Sequence, residues 1–225
     1  MSLFVVLPTC LSTDPAPGTD VNWQNTLMDR FFDDIPTKHL LELSKGSFSE
    51  NFPNNYCNGL WTPISCEGAR ITRIRYFNLR VGNFRLNELP PTLEDLWISA
   101  CKQTGAFHTR NLPRALVTIS LSRNKLSGKL DLTTLPEDLV QAHFCENHFT
   151  GPICLCHLPK SLKYLLVHAN LIAQDFVWYD DLPPGIAVIQ LQSNGQRKIG
   201  RVRALHAGKA VNARIFSGMQ PSSIE

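Results

Sequence analysis

Residues 116–128 read LVTISLSRNKLSG, an alternation of apolar and polar residues that ends in Asn124, then Leu126, then Gly128. Alternation of this kind is the pattern of a half-buried strand. A tight hairpin would place Asn directly before Gly, whereas here Gly128 follows four positions after Asn124, so a two-residue turn does not result. Asn124 and Gly128 therefore mark two separate corners of the chain. Whether those corners belong to a larger coil depends on whether the pattern returns.

It returns. Leu-Pro occurs at Leu89-Pro90, Leu112-Pro113, Leu135-Pro136, Leu158-Pro159 and Leu182-Pro183, in steps of 23, 23, 23 and 24 residues. A fixed period in this range signals a solenoid. Aligned on it, Leu93, Leu96, Ile98 and Cys101 correspond to Leu116, Ile119, Leu121 and Asn124, then to Leu139, Ala142, Phe144 and Asn147. Leu162, Leu165, Val167 and Asn170 follow, then Ile186, Ile189, Leu191 and Asn194, with Ile71, Ile74, Tyr76 and Leu79 as an earlier, degenerate copy. Gly82, Gly105, Gly128 and Gly151 repeat in the same step beside an apolar column containing Phe84, Phe107 and Phe149.

The spacing L-x-x-L-x-L-x-x-N/C resembles the leucine-rich repeat family over about residues 66–196. The Ser/Thr-Gly element after the Asn resembles the plant-type subclass, and the Leu-Pro opening is similar to repeats of protists, kinetoplastids included. The segment Cys57-Asn-Gly-Leu-Trp61-Thr-Pro-Ile-Ser-Cys66 resembles a plant-type N-terminal cap. The resemblance implies a right-handed α/β solenoid with a short parallel sheet on its concave face. In such a coil Leu116, Ile119 and Leu121 point inward, and at about 0.8 kcal/mol per buried methylene one repeat buries too little to fold alone. The Asn amide would lie inside, bonded to backbone of its own and adjacent coils.

The organisation expected is an N-terminal segment 1–18, a helical cap 19–66 that covers the first coil's edge, repeats 67–196, and a basic tail or ending cap 197–225. The cap helices carry Trp23, Leu27, Phe31 and Phe32, then Leu40, Leu41 and Leu43, interrupted by Pro36. The chain of 225 residues is 43% hydrophobic and 18% charged, enough apolar content for a core. No run approaches a membrane span. Residues Leu3–Leu11 form a short apolar patch without a basic flank, a poor secretory signal broken by Pro8. No Asn lies in an N-x-Ser/Thr sequon. A cytoplasmic setting is expected, with a secreted or cell-surface one as the alternative; Cys57 and Cys66 would pair only after export.

The sequence holds no P-loop, no G-x-S-x-G, no H-E-x-x-H and no consistently spaced carboxylate pair, so no catalytic residue is assigned and an enzyme is not expected. No cofactor is implied. His143, Cys145, His148, Cys154, Cys156, His157 and His168 are dense, but the period puts His143 and Cys145 on the concave face, with His168 one coil along in the column of Cys145, and Cys154, Cys156 and His157 on the convex return; no metal site is assigned. Recognition of a protein partner is expected on the concave face, at Arg75, Asp95, Trp97, Ser120, Arg123, His143, Tyr164, Leu166, His168 and Gln190. Aromatic anchors amid neutral polar groups suit a protein partner, whereas nucleic acid would call for more cations there. The tail carries Arg197, Lys198, Arg201, Arg203, Lys209 and Arg214, interleaved with apolar residues. It is read either as a solvated terminus or as a segment that docks on RNA or an acidic protein within a larger assembly.

Overall fold

Each Leu-Pro closes a turn. The backbone N–H of Leu93 donates to the Pro90 carbonyl at 3.1 Å, and Leu116, Leu139, Leu162 and Ile186 do the same to Pro113, Pro136, Pro159 and Pro183 at 3.0–3.3 Å. The turn therefore delivers the first apolar residue of each repeat at the same point of each coil. The computed structural model that shows this describes residues 17–50, 54–193, 198–206 and 211–225. The apolar patch at Leu3–Leu11, Asn194, Arg197 and Lys209 lie outside the described residues.

From each turn the chain enters a short strand. The strands β2 (Arg70–Phe77), β3 (Asp95–Ser99), β5 (Thr118–Ser120), β7 (Gln141–His143), β9 (Tyr164–Leu166) and β11 (Val188–Gln190) pair in parallel, in that order. The register is uniform: Ile74, Leu96, Ile119, Ala142, Leu165 and Ile189 stand opposite one another. All six are completely buried, as are Leu93, Leu116, Leu139 and Leu162. At the first edge, β1 (Ile64–Glu67) runs antiparallel to β2. At the last, β13 (Phe216–Ser217) pairs with β11, completing an eight-stranded sheet. The chain is a leucine-rich-repeat solenoid.

The ladder residue that closes each strand does what its chemistry demands. Asn124 Oδ1 accepts from the backbone N–H of Cys101 at 3.0 Å and of Gln103 at 3.1 Å. Its Nδ2 donates back to the Ile98 carbonyl of the preceding coil at 2.7 Å and to Leu121 at 2.9 Å. Asn147 and Asn170 repeat the arrangement, taking the N–H of Leu126 at 3.1 Å and of Phe149 at 3.0 Å and donating to Leu121 and Phe144 at 2.9 and 3.0 Å. Cys101 fills the same slot as a buried thiol. A buried amide is tolerated because all its valences are met.

Beyond the ladder a second parallel sheet forms from β4 (Thr104–Ala106), β6 (Lys125–Lys129) and β8 (His148–Thr150). Gly105 and Gly128 sit there at φ +99°, and Gly82 one coil earlier at +125°, a region open to glycine. Gly151 does not share it. Further along, β10 (Gln174–Tyr179) pairs with β12 (Ile199–Ala204), also in parallel.

The first coil's open edge is covered by α1 (Pro17–Phe31) and α2 (Thr37–Leu43). Met28, Phe31 and Phe32 are buried and stack into an aromatic cluster with Tyr56, Trp61, Tyr76 and Phe84. Gln24, also buried, accepts from the Ile71 N–H at 2.7 Å and donates to the Ala69 carbonyl at 3.0 Å, which ties α1 to the first repeat strand. Asp29 accepts from the Tyr56 hydroxyl at 2.6 Å and Asn54 at 3.1 Å; burial pushes its carboxyl above the usual range, against the pull of those two bonds. Cys57 and Cys66 are bonded, with Cα atoms 5.7 Å apart, and Cys154 is bonded to Cys156.

Candidate protein-binding face

The parallel register places Arg75, Trp97, Ser120, His143, Leu166 and Gln190 in one row across the concave sheet. Asp95, Thr118, Gln141 and Tyr164 form the row beside it. Trp97 dominates the surface. Its indole lies 5.9 Å from the Phe77 ring, has the Arg75 guanidinium 5.7 Å from its centroid, and meets the His143 ring edge to face at 5.9 Å. Since β5 runs between β3 and β7, the Trp97–His143 contact spans the position of Ser120.

Ser120 is accordingly no contact residue: it is buried at 2% exposure, with its hydroxyl 2.9 Å from that of Ser99. A small side chain in a row of large ones is covered by its neighbours. The sequence placed it on the outward side of the strand correctly, but could not show that Trp97 would reach over it.

Two polar atoms on this face stand out. Trp97 Nε1, a donor, and Asp95 Oδ1, an acceptor, are both buried without a hydrogen-bond partner among the described residues. The other oxygen of Asp95 is engaged: Oδ2 accepts from Arg73 Nε at 3.2 Å and Arg75 Nε at 3.1 Å. Tyr164 is 39% exposed, and Leu166 and Gln190 are half-buried. Burial pushes the His143 imidazole below its ordinary pKa, so its ring stands neutral near pH 7.

At the edge of the sheet Arg123 donates through Nε to Glu146 at 3.0 Å, both exposed. Arg123 and Glu146 are left-handed, at φ +59° and +56°, as are Asn78, Ala100 and Ala169 at +54° to +57°. One such residue precedes each ladder position from Leu79 to Asn170, turning the chain out of the strand. No sequence signal announced this column, because most of its members are not the Gly or Asn usual in that conformation. Beside Glu146 lie Cys145 and His168, whose ligand atoms together with the Glu146 carboxylate fall within 4.8 Å of one another. Cys145 is buried, which pushes its thiol up, and burial pushes the His168 imidazole down against the opposing pull of Glu146.

The basic segment is engaged with its own chain rather than loose. Arg201 Nη1 donates to Glu225 Oε1 at 2.5 Å, and Arg203 Nε to Oε2 at 2.8 Å. Arg203 also stacks on Phe176, 4.6 Å from its centroid, and Lys198 Nζ donates to the Asn170 carbonyl at 3.2 Å. Arg214 is exposed. No helix among the described residues is long and apolar enough to cross a membrane.

No family model matches this sequence, and no curated protein does. Solved structures do resemble it in fold. A complex of BIR3 with SERK2 from Arabidopsis thaliana aligns over 81% of this chain and 95% of that one, at 19% identity and a TM-score of 0.52. A PEPR1–AtPEP1 structure aligns over 84% of this chain and 28% of that one, at 18% identity and 0.51. A structure of Pollen Receptor Kinase 3 reaches 0.44 at 15% identity, over 78% of this chain and 99% of that one.

Proposed function

We propose that the chain is a non-enzymatic recognition module that binds a protein partner through its concave sheet. The observation that carries this reading is the pair of buried, unpartnered atoms on β3, the donor Trp97 Nε1 and the acceptor Asp95 Oδ1. Leaving such groups unpaired costs roughly 1–3 kcal/mol each, and a polypeptide offers both a C=O and an N–H to meet them. The large half-buried indole, with Tyr164 further along, supplies the apolar anchor that protein interfaces use. Two of the structures of similar fold hold a second component, SERK2 with BIR3 and AtPEP1 with PEPR1.

Affinity capture followed by mass spectrometry tests it. The double variant Trp97→Ala/Tyr164→Ala, folded by circular dichroism, should lose the partners that the native chain retains, whereas Arg201→Gln/Arg203→Gln should keep them. The reverse result would assign binding to the basic segment, the docking mode of an assembly subunit. An unchanged partner set in the concave variant would sink the reading.

A second reading concerns compartment. The Cys57–Cys66 bond supports an oxidising setting, exported or at the cell surface, over the cytoplasmic one expected from the sequence. Thiol counting by mass spectrometry on protein from its natural source decides it. Free thiols at both positions would return the chain to a reducing compartment.

A further inference from the structure

Cys145 and His168 stand 23 residues apart, so no metal-binding spacing is visible in the sequence. The solenoid converts that interval into adjacency. The repeat period is one coil, and the two residues occupy the same slot of neighbouring coils, just before Asn147 and Asn170. Glu146, next in the chain to Cys145, turns left-handed at φ +56° and brings its carboxylate to the same place.

We propose that Cys145, His168 and Glu146 form a binding site for a borderline transition-metal dication, with Zn²⁺ as the chemical match. A thiolate, an imidazole nitrogen and a carboxylate oxygen are the donor types that Zn²⁺ takes in tetrahedral sites. A hard cation such as Ca²⁺ or Mg²⁺ would require oxygen donors throughout. The three ligand atoms already lie within 4.8 Å of one another, and bonds of about 2.0–2.3 Å to one ion require them to draw in by about 1 Å. The exposed Glu146 side chain supplies most of that movement.

Two independent features point to an ion. The Nδ1 atom of His168 is buried and has no hydrogen-bond partner among the described residues, although a neutral imidazole nitrogen in that position wants a donor or a metal. Cys145, meanwhile, is outside both disulfides, and its Sγ donates to Ser122 Oγ at 3.1 Å. When the metal binds, the thiol proton leaves to solvent, and the Ser122 hydroxyl can reverse and donate to the thiolate, the outer support that such ligands use.

The backbone beneath the site is held by hydrogen bonds within and between coils. Glu146 N donates to the His168 carbonyl at 3.0 Å, and Asn147 and Asn170 donate through Nδ2 to the carbonyls of Cys145 and His168 at 3.2 and 3.3 Å. Arg123, now paired with Glu146 Oε1, leaves the carboxylate's second oxygen for coordination. Three protein ligands leave the fourth tetrahedral position to water or to a partner's side chain.

Titration of the full, non-reduced chain with Co²⁺ tests the site. A saturable near-ultraviolet thiolate-to-cobalt band should form and be displaced by one equivalent of Zn²⁺. Cys145→Ser should abolish the band, and His168→Gln should weaken Co²⁺ binding about tenfold or more. Cys101→Ser, which alters the other free thiol among the described residues, should leave the titration unchanged. Absence of the band, or its survival in folded Cys145→Ser, overturns the proposal. Should Cys145→Ser fail to fold, His168→Gln and Glu146→Gln read the site with the thiol intact, and unchanged affinity in both overturns it equally.

Discussion

The rings of Trp97 and His143 meet edge to face with 5.9 Å between centroids, although their strands are separated by a third. An indole that reaches across a strand to a neutral imidazole couples the surface of the concave sheet to pH. Protonating His143 would place a charge where burial already disfavours it.

Stability should therefore fall as pH drops from 7.5 to 5.5. The folded pKa values of His143 and His168 lie below their ordinary value near 6.5, each chiefly through burial. Below that value the unfolded chain binds protons that the folded chain resists, so stability is lost as pH falls toward the folded values. Asp29, raised by burial, acts in the opposite direction but nearer the carboxylate range. Urea midpoints measured in the presence of a chelator should decline across this interval in the native chain. In His143→Gln/His168→Gln the decline should be shallower. An equal decline in both would refute the assignment.

The ladder amides should be among the costliest side chains to remove. Asn147→Ala leaves the N–H of Leu126 and the carbonyls of Leu121, Phe144 and Cys145 without their side-chain partner. A loss of roughly 2–4 kcal/mol is expected in chemical denaturation. Asn111→Ala, which removes one exposed bond to Asn87, should stay within about 0.5 kcal/mol of native.

At Gly82, one coil before Gly105, the chain passes close against the cap. A Cβ there would stand 2.7 Å from the Asp34 carbonyl oxygen and 3.2 Å from Ile35 Cδ1, at a φ of +125°. Gly82→Ala should thus both strain the backbone and lift the helical cap, costing roughly 2–4 kcal/mol and exposing α1 to trypsin at Arg30. Gly105→Ala provides the comparison: its φ is +99° but nothing lies within 4 Å of the added methyl. That variant should lose about 1–2 kcal/mol through strain alone and leave the cap protected.

The inward face was legible because repetition makes it so. Leu116, Ile119 and Leu121 are each ambiguous alone, yet five copies of their spacing admit one reading, and the same period aligned Trp97 with His143. What the sequence withheld lies where repetition ends or where neighbours interact. The strand β13 pairs onto β11 without any repeat signature, because Phe216 needs only to stand opposite the buried Ile189 at the end of the register, not to match a motif. The burial of Ser120 follows from the size of Trp97, and the pairing of Arg201 and Arg203 with Glu225 depends on a chain path that charge counting does not see. The period already set His168 one coil along in the column of Cys145; what it withheld was the left-handed turn at Glu146 that brings the carboxylate beside them.

The left-handed column offers a route to a more stable chain. Ala100, at φ +57°, occupies a conformation that costs an L-residue roughly 1–2 kcal/mol, while its N–H is held by the Ser122 carbonyl at 3.0 Å. Glycine removes that penalty, and about 0.5–1 kcal/mol is returned through the larger entropy of the unfolded chain. Ala100→Gly should consequently stabilise the protein by about 0.5 kcal/mol, the opposite of the usual sign for this substitution. Ala115→Gly, outside the column and with no left-handed backbone to relieve, should destabilise by a similar amount. Denaturation midpoints that move the same way in both variants would show that the turn before each ladder residue carries no strain.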